Sequence, residues 1–439
     1  MQYSIPINSD SIRRRLDEWM SQSRPVDALL PISITLHTIK DTSPREISLG
    51  LLVIWLAWRL LIPLLKDKHS EALRSKLLPQ LALFLGLLLV NARVIIQRDD
   101  IRGPTQFLLI ALGVMVGSLL SERAWKPTLA WISLANLGIL TLFLHEATSA
   151  ELPLVFGSIK TIFSTTLDGH QGINRVATLL MILTMASWYS YLLNRDFVIK
   201  GLGLIGTVSG YLLCIGSGSR MATVAFPLSA LLAWLVMRLK GRSKKFFAIS
   251  LTITAGMVSL IGLWWFMIGP RSTINLGSDS YRLEAARCWL SAMFTGHNRF
   301  LYGVGFNNEK LNLICHHIPN FKGSLGSIGH AHNTFAQIGG HHGLLGIIAL
   351  SILLIVVVQG LLRQQASVQR VLPLGPKGTT FVEMALGLNL ALAFNALATT
   401  IHHRNQFNQV LIGLLAATAL CAIRPAAAKS VNDSPESAA

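Results

Sequence analysis

Residues 329–346 read GHAHNTFAQIGGHHGLLG and run directly into IIALSILLIVVVQG, residues 347–360. Four histidines and five glycines stand at the mouth of an apolar run that covers 333–361. A helix of about 20 apolar residues crosses a bilayer, so this run is long enough. Histidine is costly in lipid and glycine is a poor helix former. The entry point therefore asks for a reason beyond spanning.

Eleven further apolar blocks flank it, at 26–39, 47–65, 77–97, 104–120, 127–146, 173–193, 197–215, 221–239, 246–268, 378–398 and 406–423. The first is weak and is interrupted by Pro31. The chain has 439 residues, 51% hydrophobic and only 13% charged; soluble domains carry about 25% charged residues. Barrel strands would alternate over about 10 residues instead of running apolar. The fold class expected is an all-α polytopic membrane protein with about 12 transmembrane helices. Residues 1–268 hold helices 1–9 with short loops, 269–332 form one large outside loop, 333–423 hold helices 10–12, and 424–439 are a disordered cytoplasmic tail.

The net charge of +17 does not point to nucleic acid, because Lys and Arg lie in short clusters between apolar blocks. Such clusters orient membrane proteins. KGRSKK, residues 240–245, is the densest, and it places both termini on the cytoplasmic side. No cleavable signal peptide is expected, since the start is polar and carries Arg13, Arg14 and Arg15.

In the large loop, DSYRLEAARCWLSAMF (279–294) has the period of an amphipathic helix. Asp279 is its N-cap, and Tyr281, Ala285, Cys288, Trp289 and Ala292 share a face. The turn YGVGFNN follows at 302–308. Cys288 and Cys315 share the loop, which leaves a disulfide or two packed thiols; the apolar position of Cys288 beside Trp289 favours two thiols.

Three outside arginines stand at helix starts or in the loop helix: Arg175 in HQGINRVA, Arg220 after IGSGS, and Arg282. They either snorkel to lipid phosphate or clamp a pyrophosphate, which guanidinium binds bidentately. Backbone N–H groups of Gly216–Ser219 would add to an anion site. Transport of an anionic lipid is the rival reading; it would place critical charges in mid-membrane at broken helices, whereas only Arg59 and Arg93 lie well inside spans and the candidate functional groups cluster at one surface.

Seven of the thirteen histidines lie between 297 and 342. His330 and His332, with His316 and His317, lack compact finger spacing, so no metal is expected. With Asn333 as N-cap, His332 sits at the interface beside a positive helix end, where a neutral imidazole can serve as a base. On a continuous helix, Ala336, Gly339, Gly343 and Gly346 lie beneath it. That face either packs closely on a helix or makes a smooth wall for a lipid chain. His341 and His342 point elsewhere, toward neighbouring helices or water.

His332-Asn333, nine residues, then Gly343-x-x-Gly346 resembles the O-antigen ligase signature. So do Ser217-Gly218-Ser219-Arg220, Arg282 with Trp289 after it, and the turn Tyr302-Gly303-Val304-Gly305. In organisation the resemblance covers roughly 150–420. It implies a GT-C-type, metal-independent glycosyltransferase without cofactor, which moves a glycan from undecaprenyl pyrophosphate to lipid A-core on the periplasmic side. It carries the catalytic histidine to His332 and the two essential arginines to Arg220 and Arg282, with Arg175 weaker and Asn333, Gly343, Gly346 and His330 supporting. O-antigen polymerases and protein O-oligosaccharyltransferases are relatives. The oligosaccharyltransferases are usually longer at the C-terminus. The loop 269–332 lacks the polymerases' Arg-x10-Gly repeat and 147–172 lacks arginine, which favours a ligase.

Overall fold

The computed structural model describes residues 25–39, 42–65, 102–120, 122–151, 162, 173–238, 285–305, 313–315, 331–370, 376–398 and 406–421. These are helical with short connections, and no strand occurs among them. The helices are α1 (Leu29–His37), α2 (Thr42–Leu65), α3 (Arg102–Leu119), α4 (Glu122–Ser149), α5 (Ile173–Leu193), α6 (Phe197–Gly216) and α7 (Arg220–Arg238). There follow α8 (285–292), α9 (His297–Tyr302), α10 (Thr334–Arg370), α11 (Pro376–Ala398) and α12 (Gln406–Ala416). The blocks 77–97 and 246–268, the tail 424–439, Arg93, Asp279 and Tyr281 lie outside the described residues.

Four described helices are long and apolar enough to cross a membrane: Ala124–Ser149, Val176–Leu193, Phe197–Gly216 and Thr334–Gln365. Five shorter apolar helices accompany them. The described part is thus an all-helical assembly of the multi-pass membrane type. Leu204, Ile205, Val208 and Leu212 on α6 and Ile355, Val358 and Leu362 on α10 stay exposed, as lipid-facing side chains would.

α5 is central and packs on α4, α6, α7 and α11. Its buried face combines large apolar side chains such as Leu180, Leu183 and Tyr189 with polar residues that bond across to neighbouring helices, as helix contacts within a membrane do. Asn136 of α4 donates to Ser187 Oγ and to the Gly206 carbonyl, both at 3.0 Å. Asn395 of α11 donates to Thr178 at 2.8 Å. α6 starts at Asp196, whose Oδ1 accepts the N–H of Val198 at 2.8 Å.

The weak first block is a short helix, preceded by a 3-10 turn at Pro25–Ala28, and it packs on α2 and α4. It carries Asp27, which is buried. Asp27 accepts from Arg59 of α2 at 2.5 Å and from the Trp55 indole N–H at 3.0 Å. The arginine singled out as a mid-span charge is therefore half of a buried ion pair. That pairing removes Arg59 as a motive for a transport pathway.

Two contacts set the direction of the helices around the site. Met237 near the end of α7 packs on Val382 near the start of α11. Thr178 near the start of α5 meets Asn395 near the end of α11. α5 and α7 therefore run together, antiparallel to α11. α10 also packs on α11 and reaches it through the short connection 371–375. The starts of α5, α7 and α10 consequently lie at one end of the bundle.

Candidate functional site

That end holds Arg175 in the first turn of α5, Arg220 as the first residue of α7, and His332 immediately ahead of α10. For Arg175 and Arg220 the description extends to the backbone. Arg282, His316, His317 and His330 lie outside the described residues.

At the start of α10 the local sequence accounts for the geometry. Asn333 is the N-cap: its Oδ1 accepts the N–H of Ala336 at 3.0 Å, and its carbonyl accepts the N–H of Gln337 at 3.0 Å. This is the expected cap. His332, one residue earlier, is partly exposed and has φ +52°. Among the described residues only Glu151 shares that left-handed state without being glycine. Histidine enters it more readily than branched residues do, at a cost of about 1–2 kcal/mol.

The continuous small-residue face does not exist. Gly343 breaks α10 with φ +64° and ψ −155°, a region open essentially to glycine. A helix ending at 342 leaves its last carbonyls without intrahelical donors. The turn after α9 supplies them: Val304 donates to the Gly340 carbonyl at 2.7 Å and Gly305 to that of His341 at 3.0 Å. So close an approach admits no side chain. A Cβ on Gly343 would meet the Gly303 nitrogen and the Phe300 oxygen at 2.6 Å, and one on Gly303 would run into the His341 carbonyl. Gly303 itself has φ +73°. Gly339 faces Leu290 and Met293, and Gly340 faces Trp289. The glycines thus receive α8 and the turn after α9. The lipid-wall reading fails, because α8 and α9 occupy that face. The Gly346 position faces its own helix, at Ile338 and His342.

α8 buries the face its pattern specifies: Ala285, Cys288, Trp289 and Ala292 are all inaccessible. Cys288 is disulfide-bonded to Cys315, with Cα atoms 5.4 Å apart. The expectation of two separate thiols is overturned; sequence carries no distance, and the fold of the loop brings the two within bonding range. His341 and His342 are buried, which decides between the two surroundings open to them in favour of packing over water. His341 meets Trp289 edge-on, centroids 4.6 Å apart.

The glycine-serine turn before Arg220 is also tighter than its sequence suggests. Ser217 N–H bonds the Leu213 carbonyl at 2.9 Å, Gly218 N–H that of Ile215 at 3.0 Å, and Ser219 N–H the Ser217 hydroxyl at 3.3 Å. These three N–H groups are engaged internally and form no open anion cradle. What remains for an anion there is the first turn of α7, which presents N–H groups without intrahelical partners and the positive end of its dipole.

Gln337 was missed from sequence. Fully buried one turn into α10, it accepts the Ala331 N–H with Oε1 at 2.7 Å and places Nε2 3.2 Å from His341. A glutamine facing inward beside two histidines was the available signal.

A family model described as O-antigen ligase matches residues 205–371. Residues 205–371 belong to the O-antigen ligase family. The matched stretch spans most of α6, all of α7, the segment 269–332 and α10, and so contains Arg220, Arg282, His332, Asn333 and both signature glycines. Arg175 falls outside it. No curated protein matches the chain. The match supports glycan transfer of the O-antigen ligase or polymerase type, with lipid-linked glycan and lipid A-core type substrates in general.

Proposed function

We propose that this chain is an inner-membrane O-antigen ligase. It has twelve spans in a GT-C-type arrangement, both termini in the cytoplasm and its active site facing the periplasm. The donor is a glycan on undecaprenyl pyrophosphate and the acceptor is a lipid A-core sugar hydroxyl, both embedded in membrane lipid. His332 takes the proton of the acceptor hydroxyl. The hydroxyl oxygen bonds to the anomeric carbon while the carbon–oxygen bond to the pyrophosphate breaks, and its electron pair leaves on the phosphate oxygen. One displacement inverts the anomeric centre.

The observation that carries this reading is the backbone at His332. A non-glycine residue held left-handed, half exposed, at the start of a helix in the family-matched stretch is the kind of local strain that clusters at functional sites. The adjoining helix start disfavours imidazolium, so the ring stays neutral and able to accept a proton. General-base assistance is worth about 10²–10⁴ in rate. Arg220 and Arg282 neutralise the departing pyrophosphate, with Arg175 as a weaker contributor, in place of a metal ion. His330, Asn333, Gly343 and Gly346 support the histidine.

The test is transfer by the purified protein from a polyprenyl-pyrophosphate-linked glycan to three acceptors offered separately: lipid A-core, a second lipid-linked glycan, and protein. Product on lipid A-core alone is the expected result. Product on lipid-linked glycan would make it a polymerase, and product on protein an oligosaccharyltransferase. His332→Ala should lower transfer about 10²–10⁴-fold, to a small residual rate, while the unfolding midpoint stays near wild type. Retention of more than about a tenth of turnover, some tenfold above what even the smallest general-base contribution would leave, rejects the base.

A further inference from the structure

His332 sits between two anchored residues. On its C-terminal side Asn333 caps α10. On its N-terminal side Ala331 is fully buried and gives its N–H to Gln337 Oε1 at 2.7 Å. The second bond reaches back across the turn, from a side chain one turn inside the helix to the residue before the histidine. It differs from the usual capping box, in which the third helical residue returns to the cap itself.

A backbone N–H can only donate. The bond from Ala331 therefore settles which end of the amide is oxygen, a choice that is otherwise ambiguous. The NH2 end then faces His341, with Nε2 3.2 Å from one ring nitrogen and 3.4 Å from the other. That group donates only, so the ring nitrogen it meets must hold a lone pair. The His341 ring is set in turn by Trp289, its carbonyl is held by Gly305, and Trp289 adjoins the Cys288–Cys315 bond. A continuous set of contacts thus runs from the disulfide through Trp289, His341 and Gln337 to the residue preceding His332. A strained φ persists only where the surroundings over-determine it, and this set does so from the N-terminal side.

We propose that Gln337 is a positioning residue for His332. Its amide, oriented by His341, pins the Ala331 N–H, keeps the turn left-handed and so aims the His332 ring at the acceptor hydroxyl. The inference rests on His332 being the base. Misplacement by about 1 Å costs on the order of 10² in rate.

The experiment uses the full-length purified protein with Gln337→Leu, which deletes the acceptor, and Gln337→Glu, which keeps an oxygen for Ala331. Turnover is measured with the polyprenyl-pyrophosphate donor, in the wild-type and the His332→Ala backgrounds. Carbethoxylation of His332 by diethyl pyrocarbonate is followed by mass spectrometry. In the wild-type background Gln337→Leu should lower kcat about 10- to 100-fold with the donor KM within about twofold, as for a misaimed base. Gln337→Glu should restore most of the loss. In the His332→Ala background Gln337→Leu should change the residual rate less than about twofold, because residues acting as a unit are not additive. The labelling rate at His332 should differ between Gln337→Leu and wild type. If the leucine variant does not accumulate, Gln337→Asn, one methylene too short to reach Ala331, is read by the same measures. An unchanged kcat, an unchanged labelling rate, or an equal loss in both backgrounds overturns the proposal. If His332→Ala retains turnover while labelling still depends on Gln337, the base reading falls and the positioning of His332 stands.

Discussion

Val304 gives its backbone N–H to the Gly340 carbonyl at 2.7 Å, and through that bond the turn after α9 is joined to the helix that His332 precedes. The bond is possible only because α10 breaks at Gly343 and releases its carbonyls. Loop turn and helix break are therefore one device, made from two glycines 40 positions apart in the chain.

Gly303→Ala and Gly343→Ala should each destabilise the protein. Both positions have φ values near +70° with extended ψ, and both lack room for a Cβ against backbone atoms. Strain of this kind costs of order 1–3 kcal/mol, and overpacking adds a similar amount. A lowered unfolding midpoint in detergent is expected for each. Wild-type midpoints for both would show that the interlock does not exist.

The denatured, unreduced protein should take up thiol reagent at Cys214 and Cys421 alone, since Cys288 and Cys315 are bonded. After reduction all four should react. Closing 27 residues contributes about 3.5 kcal/mol in the chain-entropy model, so Cys288→Ser with Cys315→Ser should lower stability by that order. Mass spectrometry of the labelled peptides decides it.

Asp27→Asn and Arg59→Met should each cost about 3–5 kcal/mol, because each leaves a buried charge without its counter-ion. Asp27→Leu combined with Arg59→Met should be much closer to wild type. A double-mutant cycle on unfolding midpoints measures this, and strictly additive losses would count against the pair.

Arg220→Ala and Arg282→Ala should both cripple transfer. Lysine at either position should recover it only in part, because an ammonium cannot make the planar two-point contact. EDTA should leave transfer unchanged. Inhibition by the chelator, reversed by zinc, would bring the histidine cluster back as a metal site.

Much of the fold is legible because each helix is an apolar block with a physical start. Asn333 at the mouth of α10 could be read as a cap, and the α8 face from Ala285 to Ala292 as buried, from local spacing alone. What escaped depends on contacts between distant segments. The wheel beneath His332 assumed an unbroken helix, whereas Gly343 adopts its φ only because the 303–305 turn lies against it. One local feature escaped as well: the Gly216–Ser219 run looked open, yet Ser217, Gly218 and Ser219 give their N–H groups to partners within four residues. Arg59 stood out as a charge in a span, yet its partner Asp27 sits in the weakest apolar block, where Pro31 had lowered the expectation of structure. Gln337 is conspicuous only once its amide is seen reaching back to Ala331.

The break at Gly343 divides α10 into a nine-residue collar, 334–342, and a shaft of 27 residues, 344–370. At 1.5 Å per residue the shaft rises about 40 Å, some 10 Å more than a hydrocarbon core of about 30 Å. Such a surplus is accommodated by tilting or by projecting past the lipid, and both respond to bilayer thickness. The collar is hydrogen-bonded to the 303–305 turn and packs on α8, and its Ile338, Gly339 and His342 also lie against Gly346 and Ile347 of the shaft. A tilt of the shaft in a thinner or thicker membrane is thus opposed at the collar by its bonds to the 303–305 turn, which hold the start of α10 where His332 precedes it.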